Sequence, residues 1–124
     1  MRPLILIATM VIASCTRPAE PPGTAFAREL SGRVAGAPEV CVSTISTQNL
    51  HAIDSRTIVY GYGPTIYVNR LPGSCPGLGE LNTLIVDAHG SQYCRGDRVR
   101  GLETGAVIPG PWCNLGNWVP YRRP

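Results

Sequence analysis

Hydrophobic residues open this chain in one block and then thin into short, alternating runs. Leu4-Ile5-Leu6-Ile7-Ala8-Thr9-Met10-Val11-Ile12-Ala13 comes after a single positive charge, Arg2. As a helix rising ~1.5 Å per residue it reaches about 15 Å, half of a hydrocarbon core of about 30 Å. Such a run engages the export machinery without serving as a spanning anchor. The next stretch, Thr16-Arg17-Pro18-Ala19-Glu20-Pro21-Pro22-Gly23, has no apolar period and reads as an extended tether. At ~3.1 Å per residue it spans about 25 Å.

Then the period changes. Phe26, Leu30 and Val34 recur every fourth residue, with Thr24 placed as an N-cap and Gly36 and Pro38 as stop signals. The spacing predicts an amphipathic helix from Ala25 to Ala35, weakened by ~1 kcal/mol at Gly32 relative to alanine. Beyond Pro38 the runs are β-branched or aromatic: Val40-Cys41-Val42, Thr57-Ile58-Val59-Tyr60 and Thr65-Ile66-Tyr67-Val68. Gly61-Tyr62-Gly63-Pro64 reads as a hairpin connection. Thr83-Leu84-Ile85-Val86-Asp87 predicts another strand, with a turn at His89-Gly90, and Asp97-Arg98-Val99-Arg100-Gly101-Leu102 alternates in the half-buried sense. Ala106-Val107-Ile108 and Asn117-Trp118-Val119 each read as a short edge. The expected fold is mainly β: a small antiparallel sheet or partly closed barrel with one short N-terminal helix.

Composition narrows this further. Residues 24–124 suit a single small domain, and its modest core needs reinforcement. Fourteen glycines and twelve prolines make it rich in turns, yet 44% apolar and 15% charged residues are wrong for a disordered chain. Residues 15–124 carry ten Arg against eight acids, too small an excess to imply a nucleic-acid partner. Every basic side chain is Arg, which suits planar recognition of carboxylate or phosphate but also arises from a GC-rich genome.

The end of the apolar block is more specific. Ile12-Ala13-Ser14-Cys15 resembles the lipobox of bacterial lipoproteins: an aliphatic residue, two small residues and a cysteine. That resemblance implies that residues 1–14 are a signal peptide cut between Ser14 and Cys15. It further implies that the Cys15 thiol receives a diacylglyceryl group, that the new amine is acylated, and that residues 15–23 form a lipidated tether. The expected address is the cell envelope, with Cys15 embedded in membrane lipid. Thr16 is not the aspartate that resembles an inner-membrane retention signal, so the outer membrane, facing the periplasm, is the default.

Cysteine arithmetic agrees, because five is odd and an exported chain should not carry a stray thiol. Lipidation accounts for one, and Cys41, Cys75, Cys94 and Cys113 suit two disulfides in an oxidising compartment. Their pairing is open among the possible connectivities. The absence of any C-x-x-C pair argues against a structural zinc, and no metal or cofactor is expected.

A second resemblance covers residues 28–121. Arg28-Glu29-Leu30, Cys41-Val42, Asp54-Ser55-Arg56-Thr57-Ile58, Asn69-Arg70-Leu71-Pro72-Gly73-Ser74-Cys75-Pro76-Gly77-Leu78, Cys94-Arg95-Gly96-Asp97 and Cys113-Asn114-Leu115-Gly116 resemble a family of small exported bacterial proteins, known as a domain of unknown function. It implies a shared disulfide scaffold and brings no activity or catalytic residue.

The remaining polar candidates stand on their own chemistry. His51 with Asp54, and His89 with Asp87, are spaced so that an imidazole can meet a carboxylate, as general acid–base work needs. Ser43, Ser46, Ser55 and Ser91 lie in no G-x-S-x-G or S-x-x-K setting, so no catalytic residue is assigned. Arg95-Gly96-Asp97 matches an adhesion tripeptide but reads better as a tight turn opening a strand. Tyr60, Tyr62 and Tyr67 with Arg70 can form one exposed ligand-binding face, but half-buried hairpin packing explains them as well. Two function classes remain: a non-enzymatic envelope module that binds a protein or glycan, and a small envelope hydrolase or an inhibitor of one.

Overall fold

The structure is a computed structural model that describes residues 15, 18, 23–45 and 49–124. The expected signal peptide (1–14), most of the expected tether and Ser46 lie outside the described residues. Among the described residues the fold is mainly β, with ten strands, one short helix and two disulfides, and its sheets do not close into a barrel.

Helix α1 spans Thr24–Leu30 and stops five residues short of the predicted end. Gly32 takes φ 71°, a left-handed conformation that ends the helix. The residues beyond it become β1 (Val34–Ala35), so Val34 is 65% exposed instead of forming a third apolar contact. Thr24 is not the cap either: Gly23, at φ 86°, holds that position, and its carbonyl accepts from Ala27 N at 3.0 Å.

The other strands are β2 (Cys41–Ser43), β3 (Leu50–Ala52), β4 (Thr57–Tyr60), β5 (Thr65–Arg70), β6 (Thr83–Asp87), β7 (Gln92–Cys94), β8 (Arg98–Leu102), β9 (Cys113–Asn114) and β10 (Trp118–Arg122). A five-stranded sheet runs β1-β10-β5-β4-β3, a three-stranded sheet β6-β8-β9, and β2 and β7 form a ribbon. All pairings are antiparallel. The predicted strands at 40–42, 57–60, 65–68, 83–87 and 97–102 are present, each within two residues of its expected ends. Ala106-Val107-Ile108 forms no strand: Ala106 N donates to Glu103 O in a turn, and Val107 and Ile108 are 89% and 80% exposed. Of the expected edge at 117–119, Trp118 and Val119 belong to a strand inside the sheet, since β10 lies between β1 and β5.

Alternation along these strands divides the core in two. On one face of the large sheet Ile58, Tyr60 and Trp118 meet Leu71, Val99 and Leu115 from the loops and the small sheet, and this is the main core. On the other face Val59, Ile66 and Val68 are covered by Phe26 and Leu30 of α1, with Ile53 and Tyr121 beside them. All four residues of β4 are buried because both its faces are covered. The bridges Cys41–Cys94 and Cys75–Cys113 reinforce this arrangement, the first joining directly paired residues of the ribbon.

Candidate functional site

Beside the part of the sheet face that α1 covers, the exposed Pro38 and the half-buried Val119 and Tyr121 open the candidate site. Val68 pairs with Val119 and Ile66 with Tyr121 across β5 and β10, so these side chains rise on the same side as α1. A groove of about 300 Å³ lies there, lined by Pro38, Val68, Arg70, Asn117, Val119 and Tyr121. Arg70, the last residue of β5, stands at its edge with its guanidinium 4.8 Å from the centre of the Phe26 ring. That stacking fixes a cation at the junction of helix and groove. Next to it Asn117 Oδ1 accepts from Arg95 Nη1 at 3.4 Å. Among the described residues, neither Arg70 nor Arg95 reaches a carboxylate. The arrangement is an apolar floor with guanidinium and amide donors at one end. It can hold an apolar group beside an anion.

The sequence-predicted site residues lie elsewhere. The tyrosine face does not form: Tyr60 and Tyr67 pack in the main core, Tyr62 is exposed at the hairpin, and Arg70 is on the opposite face of the sheet. Residues 67 and 70 are three apart on one strand, so a period of two puts them on opposite sides. Tyr60 donates its hydroxyl to Ser43 O at 3.2 Å, and burial, aided by Tyr93 and Tyr67, pushes that hydroxyl above its ordinary pKa of 10.0.

Neither expected imidazole–carboxylate pair is made. His51 leaves Asp54 and bonds through Nε2 to Glu29 Oε1 of α1 at 3.0 Å, while its Nδ1 is buried without a partner. Asp54 Oδ1 instead accepts from Arg56 N at 2.8 Å, closing a local turn. Asp87 pairs with Arg98 Nη2 at 2.6 Å across β6 and β8, and that hydrogen bond holds its carboxyl below the ordinary carboxylate range. His89 turns to Asp97, with Nδ1 3.3 Å from Oδ1. No serine or threonine hydroxyl bonds to either imidazole among the described residues. Ser55 is occupied with Ser74 at 2.9 Å, and Ser43 Oγ accepts from Ile45 N.

The tripeptide at 95–97 is the tight turn the sequence suggested. Asp97 N donates to Cys94 O at 3.0 Å with Gly96 at φ 89°, and the Asp97 carboxylate accepts from Cys94 N. With 11% of its side chain accessible, that aspartate is a structural acceptor rather than a displayed ligand.

The four domain cysteines are all bridged, whereas Cys15 is exposed and unpaired. A second cationic feature stands on the small sheet, where Arg98 and Arg100 lie 4.8 and 4.2 Å from the centre of the Trp112 ring. No helix among the described residues is long and apolar enough to cross a membrane. No family model, no curated protein and no solved structure matches this chain.

Sequence reasoning reached Arg70 but missed Pro38, Val68, Asn117, Val119 and Tyr121 as a set. The signal available was the apolar side of 66 and 68. The strand that lies beside it, β10, was readable only in part.

Proposed function

We propose that this chain is a lipid-anchored cell-envelope protein, tethered through Cys15, whose β domain works as a non-enzymatic binding module. One observation supports this most strongly. Cys41 pairs with Cys94 and Cys75 with Cys113, so the odd cysteine is the one inside the lipobox-like tetrad. Two bridges in so small a domain fit an oxidising compartment. A single acyl chain binds a membrane marginally and reversibly, whereas the two or three chains a lipobox implies give stable anchoring.

The binding reading draws on where the titratable side chains are committed. His51, Asp54, Asp87 and His89 each serve a helix contact, a turn or a strand pair. The groove beside α1 is a concave feature with apolar lining and an unneutralised cation, Arg70, at its edge.

Metabolic labelling with a fatty acid, followed by fractionation, tests the anchor. The wild-type chain is expected to carry label and sediment with membranes, and Cys15→Ala to lose both. Equal labelling of the two forms refutes the tether.

A further inference from the structure

We propose that the groove beside α1 binds the carboxyl end of a peptide, with an apolar last side chain on its floor and the free α-carboxylate at Arg70 and Arg95. The proposal rests on the reading of the domain as a binding module and names the ligand chemistry of its site.

Three features set that chemistry. The first is size. The floor runs from Pro38 across Val119 to Val68, three neighbouring backbones, and strands lie about 4.8 Å apart. A groove of about 300 Å³ takes one side chain and its terminal peptide unit. The second is charge. Arg70 and Asn117 line the groove, Arg95 bonds to Asn117, and no carboxylate of the described residues neutralises either arginine, unlike Arg98, which is paired with Asp87. A guanidinium presents planar paired donors that match a carboxylate. The third is preorganisation. Phe26 holds the Arg70 guanidinium against α1, and the bond to Asn117 holds Arg95, so less side-chain freedom is lost when an anion arrives. Asn117 sits across from Arg70 in the extension of the β5–β10 register, where its amide can meet the terminal peptide unit.

Orientation follows from the placement of these groups. The apolar side chain lies over Val119, beside Pro38 and Tyr121, and the carboxylate points toward the Arg70 end. An amidated or carboxyl-extended peptide loses the anion. A peptide ending in glycine loses the apolar contact.

The test uses the whole lipidated chain in nanodiscs of zwitterionic lipid. Saturation-transfer NMR is recorded with acetyl-Ala-Leu bearing a free carboxylate, with its amide, and with acetyl-Ala-Gly. The free acid ending in Leu is expected to bind with saturation concentrated on its Leu methyls. The amide and the Gly peptide are each expected to bind about 10-fold more weakly, as loss of a charge-assisted hydrogen bond or of a buried apolar side chain predicts. Arg70→Gln should weaken the acid about 10-fold and leave the amide unchanged. Because Arg70 also supports Phe26, Arg95→Gln is measured in parallel. Its guanidinium bonds to Asn117 and not to α1, so it reports on the anion site without disturbing the helix.

Equal binding of acid and amide overturns the proposal, as does the absence of binding by all three peptides. So does an unchanged affinity for the acid in both arginine variants. Failure of the anchor is distinguishable: Cys15→Ala labelling then equals wild type while peptide selectivity persists. Loss of selectivity with normal labelling removes the groove assignment and leaves the anchor standing.

Discussion

Two buried polar side chains show how single residues position this core. Asn69 is fully buried on β5, where its Nδ2 donates to Gly116 O and its Oδ1 accepts from Gly116 N, both at 2.8 Å. The amide thus acts as a one-residue strand for a loop that lies too close to Arg70 O for any residue but glycine. Asn69→Ala leaves both Gly116 backbone groups unpaired, and an unsatisfied buried group costs about 1–3 kcal/mol. The variant is expected to lose about 2–4 kcal/mol in urea unfolding, with an unchanged m-value because the surface exposed on unfolding is the same. A loss near zero shows that the loop finds other partners. Tyr60 behaves differently because it titrates. Its folded pKa lies above the ordinary 10.0, so the folded protein retains a proton that the unfolded chain releases. Its contribution is complete below the unfolded value and declines as pH rises through the folded one. Urea midpoints measured from neutral to alkaline pH should therefore fall more steeply for wild type than for Tyr60→Phe. The variant begins about 1 kcal/mol lower because the bond to Ser43 O is gone. Parallel curves rule out Tyr60 as the alkaline-sensitive group.

At the scale of elements, legibility tracks length and side-chain type. β4, β5 and β6 carry four to six residues rich in β-branched side chains, β8 alternates around Val99, and local pattern found all four. β1, β3, β7 and β9 have two or three residues each, and sequences such as Leu50-His51-Ala52 and Gln92-Tyr93-Cys94 carry no strand signal of their own. Their extension is imposed by a partner: β4 for β3, β2 and its disulfide for β7. The helix failed at its end for a related reason. Val34 continues the fourth-residue period, but pairing of Val34 with Arg122 and Ala35 with Tyr121 outcompetes a helical turn containing Gly32. β10 runs on past the predicted edge at 117–119 through Pro120, a residue that donates no backbone hydrogen bond. Its carbonyl accepts from Gly36 N on the outer side of the strand, and a residue's N–H and C=O point the same way in a strand. The missing donor therefore falls toward β1 and leaves the pairing with β5 intact. The candidate site inherits this pattern. Arg70 and the Ile66–Val68 side were visible from alternation, but the other wall depends on the partnership of β5 with β10, which local pattern does not encode.

The whole molecule depends on two bridges whose loops overlap, since Cys75 lies inside the Cys41–Cys94 span and Cys94 inside the Cys75–Cys113 span. Cysteine arithmetic set the number of bridges, but only strand register decides the pairing, as Cys41 opposite Cys94 shows. The sequence separations are 53 and 38. Loop closure then contributes about 4 kcal/mol for either bridge, with only a few tenths between them. Entropy does not rank them, so burial must. Cys75 is fully buried in the main core, whereas Cys41 and Cys94 are half-buried in a ribbon that keeps its backbone pairing and the edge-on contact of Tyr93 with Tyr60. Replacing Cys75 and Cys113 by alanine removes the bridge and also opens a small void, worth about 1 kcal/mol more. A domain of this size has about 5–15 kcal/mol in all, so each loss is a large fraction of it. Thermal unfolding without reductant should show Tm lowered by roughly 15–30 °C in Cys41→Ala/Cys94→Ala, and further in Cys75→Ala/Cys113→Ala. The four-fold variant should be unfolded at growth temperature, because about 8 kcal/mol exceeds what a modest core holds in reserve. If the ribbon pair is the more damaging loss, the large sheet depends on β2 and β7 more than on its own buried face. Equal Tm values would leave chain entropy as the whole effect and remove burial from the ranking.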